Sequence, residues 1–138
     1  ALRGLTLADN YRQGVSVIAA RGFRMESCRV TGTKGTLPMA GIDFEPNAGT
    51  YGFTGCVIRD CSFTGNSGPG ILVYLKKLTA ENPPVDIRIE DTVSRGNRLS
   101  VSILEIPEGL GGEILFSGCS LSWFKYISVP ESLSVRFE

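Results

Sequence analysis

Histidine is absent from the 138 residues. Its absence excludes, within this chain, a Ser-His-Asp triad, a Cys-His dyad and any zinc site built on imidazole. Net charge is missing as well: Lys plus Arg and Asp plus Glu number 14 each, so the formal charge is zero. Without a basic excess the chain has little means of neutralising a phosphate backbone, and nucleic acid is not expected as a partner. No apolar run reaches the ~18 residues that a membrane span needs. A leader pattern is lacking too; Ala1 opens directly into patterned sequence, as expected of a mature or excised chain. Stretches with helical periodicity are scarce. What the chain does have is glycine, 17 residues, with 42% hydrophobic and 20% charged residues, an ordinary globular balance over a length that suits one domain, 1–138.

The sequence repeats. Residues 2–14, LRGLTLADNYRQG, lie without a gap over residues 58–70, IRDCSFTGNSGPG. Further copies occur at 25–33, 89–97 and 116–124. The middle position of each copy gives the series Leu5, Cys28, Cys61, Thr92 and Cys119. A second short segment follows each copy: Val15-Ser16-Val17, Ile42-Asp43-Phe44, Ile71-Leu72-Val73, Val101-Ser102-Ile103 and Ile127-Ser128-Val129. Gly14, Gly41 and Gly70 precede three of them. Alternation with period 2 reads as strand, and the connecting stretches are too short and too rich in Gly, Pro and Asn for helices.

A period near 30 residues made only of strands and turns predicts a solenoid of parallel strands. The recurring apolar-x-x-Cys-x-apolar segment, followed by Asn and then Gly-apolar-x-apolar, resembles the right-handed parallel β-helix of the pectate-lyase-like superfamily over the whole chain. That resemblance implies an all-β, single-stranded, right-handed parallel β-helix of about five coils. Five coils read as a segment of a longer solenoid, whose open ends would be covered by flanking domains or by self-association.

Stacked coils predict columns of equivalent residues about 4.8 Å apart. The expected inward columns are Leu2-Met25-Ile58-Ile89-Phe116, Leu5-Cys28-Cys61-Thr92-Cys119 and Leu7-Val30-Phe63-Ser94-Leu121, with Phe23, Cys56, Ile87 and Ile114 as a further set. Polar Thr92 and Ser94 interrupt the fourth coil, where a bulge could turn Val93 inward. Outside, Arg3, Glu26, Arg59 and Glu90 alternate in sign, which suits register control on a solvated face. Asn10, Thr33, Asn66 and Asn97 share one turn position and read as a structural ladder. The four cysteines include no CxxC pair, and side chains stacked in parallel suit a disulfide badly, so they read as buried free thiols.

Chemistry is expected on the outer face of the second strand family. Its outward residues run Ser16, Asp43, Leu72, Ser102 and Ile18, Glu45, Tyr74, Leu104, flanked by loops of variable length that usually build a groove. Asp43 and Glu45, two apart on one strand and about 6.5 Å apart along it, could act as the acid and base of glycoside hydrolysis. They could also hold Ca²⁺, although no dedicated metal site or other cofactor is indicated. Tyr74 offers a ring face, and Lys76, Gln13, Ser16 and Arg12 offer donors at the rim.

The segments NYRQGVSV (10–17) and TKGTLPMAGIDFEPN (33–47) are similar to bacterial β-helix-repeat proteins, many of them directed at polysaccharides. The resemblance implies an extracellular or cell-surface module that binds or cleaves a glycan around Asp43 and Glu45, as a glycoside hydrolase, a polysaccharide lyase or a non-enzyme. Hydrolases of the superfamily use a His with an Asp cluster, which this chain lacks. Its lyases use an Arg or Lys base, for which Arg12, Lys76 and Lys77 are available. The alternative is a non-catalytic structural or adhesion solenoid from a cell-surface or phage fibre protein.

Overall fold

The computed structural model describes residues 1–127 and 129–138. The chain is a parallel β-helix of five coils closed by one further strand. Three sheets run along the stack. The first has six strands, Leu2–Arg3, Arg24–Glu26, Cys56–Arg59, Val85–Glu90, Gly112–Ser117 and Leu133–Phe137. The second has five: Thr6–Ala8, Arg29–Thr31, Ser62–Thr64, Val93–Arg95 and Ser120–Leu121. The third also has five: Gln13–Val17, Ala40–Phe44, Pro69–Tyr74, Leu99–Leu104 and Phe124–Ile127. All pairings are parallel, and each strand meets its equivalent one coil away, as the repeat requires.

The expected columns form. Leu2 pairs with Met25, Met25 with Ile58, Ile58 with Ile89 and Ile89 with Phe116. The last strand adds Phe137, whose ring stacks on Phe116 at 4.9 Å. Met25, Ile58 and Ile89 are fully buried. Each coil turns from the first sheet into the second through one left-handed residue, in the column Gly4, Ser27, Asp60, Asp91 and Gly118. The next residue is the Leu5-Cys28-Cys61-Thr92-Cys119 column. Its side chains reach back to the carbonyl two residues earlier: Cys28 to Glu26 at 3.2 Å, Cys61 to Arg59 at 3.2 Å and Thr92 to Glu90 at 2.8 Å. A thiol and a hydroxyl are interchangeable here because both donate to that carbonyl.

The expected bulge at Val93 does not occur. Val93 faces out, 38% exposed, and Ser94 occupies the inward position, paired with Phe63 and Leu121. The polar side chain is tolerated because it is fully bonded: the Ser94 hydroxyl donates to the Ser100 carbonyl at 2.8 Å and accepts from Asn97 Nδ2 at 3.1 Å. The adjoining ladder forms as expected. Asn97 Oδ1 accepts from the Asn66 backbone N–H and side-chain amide at 3.0 and 2.9 Å, and Asn66 Oδ1 accepts from the Thr33 N–H at 3.1 Å.

One strand differs from expectation. The fifth strand of the third sheet spans Phe124–Ile127, with Val101 on Phe124 and Ser102 on Lys125, rather than 127–129; Ser128 lies outside the described residues. The stretch FKYI alternates as well as ISV does, and the pairing with Val101 selects it. In the outer charge column Arg3 bonds Glu26 at 2.9 Å and Arg59 bonds Glu90 at 2.7 Å, all on the surface, where such pairs contribute at most about 1 kcal/mol.

The cysteines are free. Cys28, Cys56 and Cys61 are buried, Cys119 half-buried, and burial pushes the Cys56 and Cys61 thiols up to about 11. In the native protein at neutral pH a thiol-specific reagent should label at most Cys119, and slowly, whereas unfolding should release all four. Rapid native labelling of two or more thiols, or fewer than four after unfolding without reductant, would contradict this arrangement.

Candidate functional site

The residues expected to form a site lie on and just beyond the strands of the third sheet. Its entry is set by glycines. A Cβ on Gly41 would lie 2.6 Å from the Gly70 carbonyl oxygen and 2.8 Å from the Phe63 ring, so only glycine lets this corner close against the core. Beyond the corner the register places Ser16 on Asp43, Asp43 on Leu72, Leu72 on Ser102 and Ser102 on Lys125. Val73 pairs with Phe44, which sets Tyr74 one step further along beside Glu45.

Asp43 is not in the open. The reading of an unobstructed carboxylate pair is corrected on this point, because Asp43 has no exposed surface while Glu45 is only half-buried. The insertion between the second and third sheets of the second coil docks on both flanking coils just ahead of this strand. Residues 34–36 are tied to the first coil by the bonds Lys34 N–H to the Asn10 carbonyl, 3.0 Å, and Thr36 N–H to the Tyr11 carbonyl, 3.1 Å. On the other side Gly68 N–H donates to the Met39 carbonyl at 2.9 Å. A Cβ at Gly68 would sit 2.0 Å from the Pro38 carbonyl oxygen, so the insertion lies directly on that backbone. It straddles the outer face where that face begins, and the outward-facing Ala40 and Asp43 are both fully buried there.

Neither carboxylate oxygen of Asp43 finds a donor in full hydrogen-bond geometry among the described residues. Burial raises its pKa above the usual 3.8; the Ser16 hydroxyl opposes this, Glu45 adds to it and the Arg12 guanidinium opposes it. Arg12, Ser16, Asp43 and Glu45 therefore form one electrostatic group. Gln13 pairs with Ala40, and its half-buried side chain leaves Oε1 buried without a partner. Tyr74 is half-buried, and Lys76 stands exposed two residues beyond it. Arg12 and Lys76 make no ion pair among the described residues. No group of three or more Cys, Asp or Glu side chains suited to a metal is found among the described residues.

Two hollows stand out, and neither is lined by Asp43 or Glu45. One, of about 650 Å³, runs over the turn into the second sheet, with the hydroxyls of Thr6, Thr31, Ser62 and Thr64 beside Arg29, Asp60 and Asp91. The other, of about 300 Å³, lies on the outer face of the third sheet between the insertion and the fourth and fifth coils. Sequence reasoning did not single out the first. The signal for the second was present in the outward leucines at 72 and 104, but its wall, Leu37 and Pro38, comes from the insertion, whose path the repeat does not specify.

No family model, curated protein or solved structure matches the chain.

Proposed function

We propose that the protein is a polysaccharide-directed module that binds a glycan chain across the outer face of its third sheet, in an extracellular or cell-surface setting. The observation that carries this reading is the juxtaposition of Glu45 and Tyr74 on neighbouring coils, with the Arg12 guanidinium acting on the adjoining Asp43 and Lys76 exposed two residues beyond Tyr74. An aromatic face provides apolar contact for a sugar ring, and the charged groups supply directional bonds to hydroxyls or to an acidic substituent. Ser16 extends the polar surface, and Gln13 lies at its edge.

Binding is favoured over cleavage. Acid–base hydrolysis requires both carboxyls to reach the scissile bond, and Asp43 has no exposed surface to offer. In this reading Asp43 shapes the floor and Glu45 makes the contact.

The test is retention on a panel of immobilised acidic and neutral polysaccharides, for the native chain and for Tyr74→Ala combined with Glu45→Gln. At least one polysaccharide should be retained, and the double variant should weaken retention about tenfold or more, since stacking and a charged hydrogen bond each contribute about 1–3 kcal/mol. Retention unchanged in the double variant would move the site away from this face. Retention of no polysaccharide would leave the structural or adhesion reading in its place.

A further inference from the structure

The 300 Å³ hollow on the third sheet has a chemistry of its own. Its floor is made by Leu72, Leu99 and Leu104, contributed by the third and fourth coils, and its wall by Leu37 and Pro38 of the insertion. These are outward positions of a sheet face. Leucine there buries nothing in the solenoid core, and Leu37 is left 68% exposed. Two cations, Arg98 and Lys125, stand among these apolar side chains. Both residues are exposed, and neither has an acidic partner among the described residues, whereas Arg3, Arg59, Arg88 and Arg136 each hold one. No Asp or Glu lines the hollow.

From this arrangement we infer that the hollow is a binding site for a small amphipathic anion, a carboxylate carrying an apolar body of medium-chain length. The apolar body lies on Leu72, Leu99 and Leu104 under Leu37, and the carboxylate meets Arg98 and Lys125 at the rim. Both halves of the ligand follow from the lining. An apolar floor alone would accept any hydrophobe, but two unpaired cations above it favour an anion and oppose a cation. The volume is at the small end of ordinary ligand pockets and admits a single chain of this size. The inference does not rest on glycan binding at Glu45 and Tyr74, because it uses none of those residues. A uronate on a glycan would meet only the two cations and not the leucines, and the choice of probes separates it from a fatty carboxylate.

The experiment is calorimetric titration of the whole chain, below micellar concentrations, with decanoate, decyltrimethylammonium, decanol and glucuronate. Decanoate should bind to one site, more tightly than decanol, with decyltrimethylammonium and glucuronate weakest. Arg98→Gln with Lys125→Gln should weaken decanoate about tenfold or more while leaving decanol unchanged. Leu104→Gln should weaken both. All three positions are exposed or half-buried, so these variants are expected to fold, and circular dichroism checks that they do. Glucuronate binding as tightly as decanoate would assign the site to a sugar acid and overturn the apolar half of the inference. Equal binding of decanoate and decyltrimethylammonium would overturn the anionic half. Absence of decanoate binding, or concentration-dependent dimers that dissociate when Leu37→Ser and Leu104→Gln are combined, would overturn it altogether and make the patch a contact between copies of the chain.

Discussion

Gly41→Ala should destabilise the protein by about 3 kcal/mol or more, the upper end of what overpacking costs. The new methyl group would meet the Gly70 carbonyl oxygen at 2.6 Å, Phe63 at 2.8 Å and the Asn66 side-chain amide at 3.2 Å. The first of these is backbone of the next coil and cannot rotate away. Phe63 is fully buried, and Asn66 belongs to the amide ladder that ties three coils together. Relief therefore requires either the third sheet to part from its neighbour or the ladder to break. Gly49→Ala is the control. Gly49 has a φ of +77° with open space where a Cβ would go, so only left-handed strain remains, about 1 kcal/mol. Urea unfolding of the two variants measures the contrast through their midpoints. If Gly41→Ala falls within 1 kcal/mol of the native protein, or costs no more than Gly49→Ala, the corner is looser than the coordinates show.

That corner illustrates which parts of the molecule the sequence discloses. In a parallel solenoid each coil repeats the same in-or-out decision at the same position, so five noisy copies average into a readable column. Met25, Ile58 and Ile89 are unambiguous for this reason, and Gly14, Gly41 and Gly70 recur ahead of three strands of the third sheet. Readability fails where a coil departs from the repeat. An inward serine at 94 looks costly, which makes Val93 the alternative inward residue. It does not turn in, because Ser100, six residues on, supplies a carbonyl to the Ser94 hydroxyl. FKYI and ISV are both alternating segments in opposite phase, and only pairing with the fourth coil chooses between them. The candidate site depended on the largest departure of all. The strand pattern puts Asp43 and Glu45 on the side away from the core, but a local pattern carries no information on where the 34–39 insertion comes to rest. Its docking on Asn10, Tyr11 and Gly68 is set by contacts with other coils, and the carboxylate of Asp43, expected at the surface, is buried.

Asp43→Asn should raise the stability of the protein at neutral pH and leave it unchanged in acid. Burial disfavours the charged carboxylate by more than the Ser16 hydroxyl and Arg12 favour it, so the folded pKa of Asp43 lies above 3.8, its value when the chain is unfolded. Between those two values the folded protein holds a proton that the unfolded chain has released. Stability therefore falls as pH rises through that window and stays reduced above it. Asparagine has the same shape and carries no titrating proton, so the variant escapes this loss. At pH 7 the gain cannot exceed about 4 kcal/mol, which is 1.36 kcal/mol per unit between 3.8 and 7. About 1–3 kcal/mol is expected, the ordinary cost of a buried group left unpaired. Below pH 3.8 the two proteins should unfold at the same urea concentration. The neighbours supply an internal check. Glu45→Gln should narrow the window, because Glu45 raises the Asp43 pKa, and Arg12→Gln should widen it, because Arg12 lowers it. A native protein as stable as the variant at every pH would mean that Asp43 titrates like a solvated acid. Water would then reach its carboxyl, and Asp43 and Glu45 would again be free to meet a glycan together as acid and base.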